Sequence, residues 1–169
     1  MLRWTLNLMS MLLFVFHSFV LPDPPPKLTV YTFLNTECPI SQQYTRQLTT
    51  LYEQFKQRGV RFVAIFPLRT DSPAVIQRFR TEFNLPFPGQ PDAGAQLARR
   101  LGARVTPEVV VTQGDGQIRY QGAIDDWYVD LGKHRSKSSH NYLSDALNAL
   151  LGNQPVVQSR IEAVGCLIE

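Results

Sequence analysis

The stretch Leu28-Thr29-Val30-Tyr31-Thr32-Phe33-Leu34-Asn35-Thr36-Glu37-Cys38-Pro39-Ile40-Ser41 changes its hydrophobic period halfway along. The first half alternates and is rich in β-branched and aromatic residues, which predicts a strand over 28–34. From Pro39 onward, Ile40, Tyr44, Leu48, Leu51, Tyr52 and Phe55 recur on one helical face, so a helix starts at the proline and stops at Gly59. Proline suits a first helical position, where the N–H it lacks has no intrahelical partner anyway. Cys38 therefore stands at a strand-to-helix junction, facing unpaired backbone N–H groups and the positive end of the helix dipole. Both favour the thiolate, which is the nucleophilic form. Glu37 works the other way, because a neighbouring carboxylate disfavours a second negative charge. The alternative, that Cys38 is merely a small buried hydrophobe, is disfavoured by its position at that junction.

Downstream, the nearly continuous apolar run Val60 to Phe66 suits a strand buried on both faces of a mainly parallel sheet. Asp71-Ser72-Pro73 reads as a helix start, with Ser72 as cap and Pro73 in the first turn, and Val75, Ile76, Phe79 and Phe83 form the apolar stripe. A short helix around Ala95–Leu101 ends at Gly102. Glu108 to Thr112 is the next strand, Gly114-Asp115-Gly116 a turn, and Gln117 to Gly122 its hairpin partner. Asn141 to Leu151 is a last amphipathic helix with Tyr142, Leu143, Ala146, Leu147 and Leu150 facing inward. A βαβ unit joined to a ββα unit predicts an α/β sandwich with a mixed central sheet flanked by helices.

The chain has 169 residues, enough for one domain with a substantial core. Hydrophobic residues make up 44% and charged ones 18%, a globular rather than a disordered composition. The net charge of +3 is mild, and part of it sits in one loop at Lys133, His134, Arg135 and Lys137. No nucleic-acid partner is expected from so local a patch. Residues 1–21 begin with Arg3 as their basic residue, run through the apolar Leu12-Leu13-Phe14-Val15-Phe16, and hold no acid. They read as a signal peptide or N-terminal anchor, Ser18-Phe19-Val20 being a poor cleavage match. A Pro-rich linker follows at 22–27, then a domain at 28–151 and a tail at 152–169 that has no clear period and carries Cys166. The chain is thus expected to be exported, either periplasmic or membrane-anchored and facing the extracytoplasmic side. Two cysteines are too few for a disulfide-stapled scaffold, but they can form one bridge or act as separate thiols.

Phe33-Leu34-x-x-x-Cys38-Pro39, Gly59-Val60-Arg61-Phe62-Val63 and Gly102-Ala103-x-Val105-Thr106-Pro107 together resemble the thioredoxin-like superfamily. The resemblance runs from about Leu28 to Leu151. It is nearest to exported redoxin-domain proteins of the alkyl hydroperoxide reductase/thiol-specific antioxidant group. It implies a three-layer sandwich with an inserted strand–helix element, for which the long interval between Cys38 and Pro107 leaves room. It also implies that the Thr106–Pro107 bond is cis and lies beside the reactive sulfur, so that Thr106, Pro107 and Pro39 form the substrate-binding edge.

Several positions depart from the family patterns. Where thioredoxins have a second cysteine three residues on, this chain has Ser41, which cannot close a local disulfide but could hydrogen-bond the Cys38 thiolate. Where thioredoxins keep a buried acid, it has Thr32. Where peroxiredoxins place Thr or Ser and an upstream proline, it has Asn35 and Tyr31, leaving the peroxide pocket incomplete; Arg104 could supply the cation such a pocket needs, but reads rather as a surface arginine. Cys166 is the candidate to resolve a mixed disulfide on Cys38. Its alternatives are a free surface thiol or pairing with another protein. His134 and His140 in the basic loop could join the cysteines as a soft ligand set for copper or zinc, but lone histidines in polar loops are usually solvated. Asp125 and Asp126 read as structural, pairing with an arginine or capping the Trp127–Tyr128 segment.

The leading expectation is a thiol–disulfide oxidoreductase with Cys38, Cys166 and Ser41 as its catalytic set, no cofactor, and another thiol or disulfide protein as electron donor or substrate. The alternatives are a thiol peroxidase that oxidises Cys38 to a sulfenic acid and a copper-binding or copper-delivery module.

Overall fold

The computed structural model describes residues 27–169, so the expected signal or anchor at 1–21 and nearly all of the 22–27 linker lie outside the described residues. Strand β1 (Leu28–Phe33) is followed by helix α1 (Pro39–Phe55), which tightens into a 3-10 turn at Lys56–Arg58 and ends at Gly59 with φ 84°. Strand β2 (Val60–Phe66) then runs parallel to β1, Leu28 pairing with Val60 and Phe33 with Ile65. Helix α2 (Pro73–Glu82) starts as its residues predict: the Ser72 hydroxyl accepts from the Val75 N–H at 3.4 Å and Pro73 opens the first turn. Strand β3 (Gly89–Pro91) adds a parallel edge to β2. Helix α3 (Gln96–Leu101) leads into the two-residue β4 (Val105–Thr106), and then β5 (Glu108–Gln113) and β6 (Ile118–Gly122) form the hairpin. A small hairpin of β7 (Tyr128–Asp130) and β8 (Lys133–His134) precedes helix α4 (Tyr142–Leu151).

The inserted element is α2 with β3, helix before strand. No β-pattern marks β3, because three residues flanked by Pro88 and ending in Pro91 cannot show a period; they form an edge because a proline there breaks no ladder.

The main sheet has the order β3-β2-β1-β5-β6 and then a short last strand, β9 (Arg160–Ile161); β3, β2 and β1 pair parallel, β1, β5 and β6 antiparallel, and β9 pairs parallel with β6. Alternation along each strand divides the core. Val30, Phe62, Phe66, Val109 and Val111 meet Leu48 and Phe55 of α1, Phe79 of α2, and Leu143 and Leu147 of α4. On the other face Phe33, Ile65 and Val110 meet Ala98 of α3, whose small side chain lets that short helix lie close. Full burial of a large apolar side chain stabilises by about 1.5–3 kcal/mol, so these two layers dominate the fold.

The tail differs from the sequence reading. Residues 152–169 hold two more strands, β9 (Arg160–Ile161), parallel to β6, and β10 (Cys166–Leu167), antiparallel to β4. Gly122 makes the first contact possible: its φ is 131°, and a Cβ there would collide with the Ile161 carbonyl oxygen. Two-residue strands have no periodicity to read; they exist because the domain surface pairs with them. Among the described residues, no helix is long and apolar enough to cross a membrane.

Candidate redox site

The loop between β1 and α1 is shaped by its own side chains. The Asn35 carboxamide oxygen accepts from the Glu37 N–H at 2.8 Å, and the Cys38 N–H donates to the Asn35 carbonyl at 3.2 Å. Gln42 reaches back from α1 to donate to the Thr36 carbonyl at 2.8 Å. These bonds place Cys38 at the cap of α1 in extended conformation, with no side chain capping the helix in its place. Cys38 thus stands at the N-terminal end of the helix, where the first-turn N–H groups have no side-chain acceptor.

Cys38 is 1% exposed and is disulfide-bonded to Cys166, their Cα atoms 6.4 Å apart. Its sulfur also lies 3.2 Å from the Thr106 carbonyl oxygen. The Thr106–Pro107 bond is cis; β4 ends at Thr106 beside the sulfur, and β5 continues into the sheet. Glu108 holds this turn from beneath. One of its carboxylate oxygens accepts from the N–H groups of Arg104 (2.8 Å) and Val105 (3.2 Å), and the other from the Gln121 carboxamide at 2.9 Å. Both Thr106 and Pro107 are buried, and Pro39 is exposed next to Cys38.

With Cys38 in the disulfide, Ser41 is turned to the loop. It is fully buried, and its hydroxyl accepts from the Asn35 N–H at 3.3 Å instead of meeting the sulfur. One turn into the helix, its side chain points back along the axis at the incoming loop, as helical Cα–Cβ bonds do. Ser41 therefore fixes the loop geometry. Tyr31 packs with the Ile65 cluster, on the other face of the sheet from the Cys38 cluster, so it does not help build a pocket at the sulfur. Arg104 is exposed. The exposed His134 ring packs against Trp127 (centroids 5.2 Å apart), and His140 stacks on Tyr142 at 5.9 Å. Among the described residues, no group of three or more His, Cys, Asp or Glu side chains is arranged to hold a metal, so the His134, His140 and cysteine set does not assemble.

Two buried carboxyl groups flank the site, and sequence reasoning missed the part each plays. Asp71 accepts from the Thr36 hydroxyl at 2.5 Å, tying the Cys38 loop to the start of α2. Burial pushes its carboxyl above the usual carboxylate range, the Thr36 hydrogen bonds oppose that only partly, and Glu37 adds to the rise. Its second oxygen is buried with no hydrogen-bond partner among the described residues. Asp71-Ser72-Pro73 signalled only a helix start, because the link to Thr36 spans 35 residues. Asp125 accepts from the Tyr44 hydroxyl at 2.6 Å and from the Trp127 N–H at 2.9 Å. Burial raises the Asp125 carboxyl, and burial with the Asp125 hydrogen bond raises the Tyr44 phenol. Asp126 is the opposite case, held far below the usual range by the Ser139 hydroxyl, the His140 and Ser139 N–H groups and Arg135. Between Pro107, Tyr44, Asp125 and tail residues Ile161 to Val164 lies a cleft of about 460 Å³.

A sulfur at a helix start beside a cis-proline turn, on a mixed sheet with helices on both faces, defines a thioredoxin-like protein. The AhpC/TSA family pattern matches residues 16–121, and the chain belongs to that family. It is 28% identical over 87 residues to the thiol-disulfide oxidoreductase ResA of Halalkalibacterium halodurans, a match covering 51% of this chain and 48% of that protein. The chain thus spans about half the length of the curated relative it matches. Among solved structures, an uncharacterized conserved protein from Geobacillus kaustophilus superposes with a TM-score of 0.74 at 26% identity, over 87% of this chain and 79% of that one. A putative thiol:disulfide interchange protein DsbE from Chlorobium tepidum has the same fold, with a TM-score of 0.58 at 16% identity over 76% and 82% of the two chains.

Proposed function

We propose that this protein is an exported thiol–disulfide oxidoreductase working through Cys38 and Cys166, with another thiol or disulfide protein as its partner. The observation that carries the reading is the pairing of Cys38 with Cys166 against the Thr106–Pro107 turn. The likeness to ResA supports it. In the reducing direction the Cys38 thiolate, favoured at the helix start, attacks one sulfur of a partner disulfide. That S–S bond breaks, and the other partner sulfur leaves as a thiolate and takes up a proton. The Cys166 thiolate then attacks the Cys38 sulfur, expelling the second partner thiolate and leaving the Cys38–Cys166 disulfide. Two electrons pass to the partner, and every step reverses when the partner is the donor. Ser41, Asn35 and Glu108 act as positioning residues for the loop and the turn. Residues 1–21 would take the domain across or onto a membrane as a signal or anchor.

The test is mass spectrometry of the reduced chain incubated with a protein disulfide. Wild type should yield a Cys38–Cys166 linked peptide and free partner thiols. The Cys166→Ser variant should accumulate a partner joined to Cys38. Should the partner disulfide stay intact with both cysteines still free, while a parallel incubation with hydrogen peroxide converts Cys38 to a sulfenic acid and the peroxide to water, the exchange reading fails and peroxide chemistry takes its place.

A further inference from the structure

Strand β10 lies antiparallel on β4, with Cys166 opposite Thr106 and Leu167 opposite Val105. The Ile168 N–H donates to the Arg104 carbonyl at 2.9 Å, and the Thr106 hydroxyl donates to the Cys166 carbonyl at 3.4 Å. Main-chain bonds of this kind accept almost any extended segment, so selection falls to the side chains. Here the positions differ sharply. A Cβ on Gly165 would collide with the Thr106 carbonyl oxygen and stand 3.1 Å from the Pro107 nitrogen. Both are backbone atoms in a buried turn pinned by Glu108, and neither has a rotamer through which to yield. Val164 packs on the main core cluster and Ile168 on the α3-side cluster, whereas Leu167 is 74% exposed. The edge therefore accepts an apolar residue, then glycine, then cysteine, then an unread position, then an apolar residue.

We propose that the β4 edge beside Cys38, already read as the substrate-binding edge, selects partner segments that carry glycine immediately before their reactive cysteine, and that the chain's own C-terminal strand competes for it. The proposal rests on the exchange chemistry above and names the substrate class of that same site. A partner sulfur bonded to Cys38 must stand where the Cys166 sulfur stands, which sets the register. The preceding residue then falls at the place of Gly165, where only a hydrogen fits. With the tail seated, Cys38 is buried and no partner reaches it. With the tail off, the Cys38 thiolate attacks the docked cysteine, whose former disulfide partner leaves as a thiolate and is protonated. As the partner strand peels away, the tail re-pairs and the Cys166 thiolate expels the partner's sulfur. Two-residue strands suit such an exchange, since little pairing must break at each handover.

The experiment uses the full chain with Cys166→Ser and two peptides, Val-Gly-Cys-Ser-Ile and Val-Ala-Cys-Ser-Ile, each with its cysteine as a mixed disulfide with thionitrobenzoate. Chromophore release reports attack by Cys38. The glycine peptide should react at least about tenfold faster, the scale of discrimination by one methyl group in a fitted site. Replacing the serine after the cysteine by lysine should leave the rate within about twofold, as that position faces solvent. Adding Gly165→Ala to Cys166→Ser should unseat the tail and speed capture of the glycine peptide. Equal rates for the two peptides overturn the glycine selection and leave the exchange chemistry standing. If both react no faster than with the urea-unfolded chain, the exchange reading falls and the docking site with it. If Gly165→Ala leaves capture unchanged or slower, the tail is not a competitor.

Discussion

Reducing the Cys38–Cys166 bond, or substituting Cys166→Ser, should lower the stability of the domain by an amount that its place in the chain sets. The bridge joins residues 128 apart, nearly the whole described chain. Closing so long a loop removes entropy from the unfolded ensemble worth about 5 kcal/mol at 25 °C in the chain-entropy account, and measured disulfides typically give about 2–4 kcal/mol. The folded state changes little by comparison, because the β1–α1 loop keeps its own hydrogen bonds and the tail keeps its contact at Gly122. Equilibrium urea unfolding of the oxidised chain, the reduced chain and Cys166→Ser measures the effect. With a slope of about 2 kcal/mol per M, the midpoint should fall by roughly 1–2.5 M on reduction. Reduced wild type and Cys166→Ser should then coincide. A fall of less than about 0.5 M would show that the tail is not cross-linked to the Cys38 loop in solution, and the loop-entropy reasoning would be refuted.

Asp71→Asn should matter in a pH-dependent way. Because burial raises the folded-state Asp71 carboxyl above its unfolded value, its contribution favours the folded state below the unfolded pKa and is lost as pH rises through the folded one. The variant should therefore gain stability relative to wild type at neutral pH, and the gain should vanish in acid. Thermal unfolding from pH 3 to 7 checks this, and a gain that does not depend on pH contradicts it. Gly122→Ala should cost more than about 1 kcal/mol, since it combines a positive φ with a collision against Ile161. Amide hydrogen exchange should show the loss as faster exchange at 160–163 and little change in β1 or β2; uniform acceleration would refute a local effect.

Elements whose signal lies within a few residues are legible in the amino-acid sequence. Helix α1 from Pro39 to Phe55 follows from its apolar face, its opening proline and Gly59, and β2 from its unbroken apolar run. The Ser72 cap and the hairpin at Gly114 to Gly116 are equally local. The place of Cys38 at the strand–helix junction follows from the same periodicity switch, and the cis bond at Pro107 from the family resemblance.

Partners brought together from distant parts of the chain are not legible there. The seat of the tail depends on a missing Cβ at Gly122 and Gly165 and on the open edges of β6 and β4, none of which leaves a pattern in residues 152–169. Ser41 faces the loop rather than the sulfur because of where Asn35 comes to lie. The Thr36–Asp71 and Tyr44–Asp125 bonds join residues 35 and 81 positions apart, so neither acid could be read as a neighbour of the site. Amino-acid order determines the local conformations, since periodicity and capping act within a turn or two of chain. Which carboxyl, which glycine and which cysteine meet is decided only when the sheet forms, because contact and desolvation depend on spatial separation and not on separation along the chain.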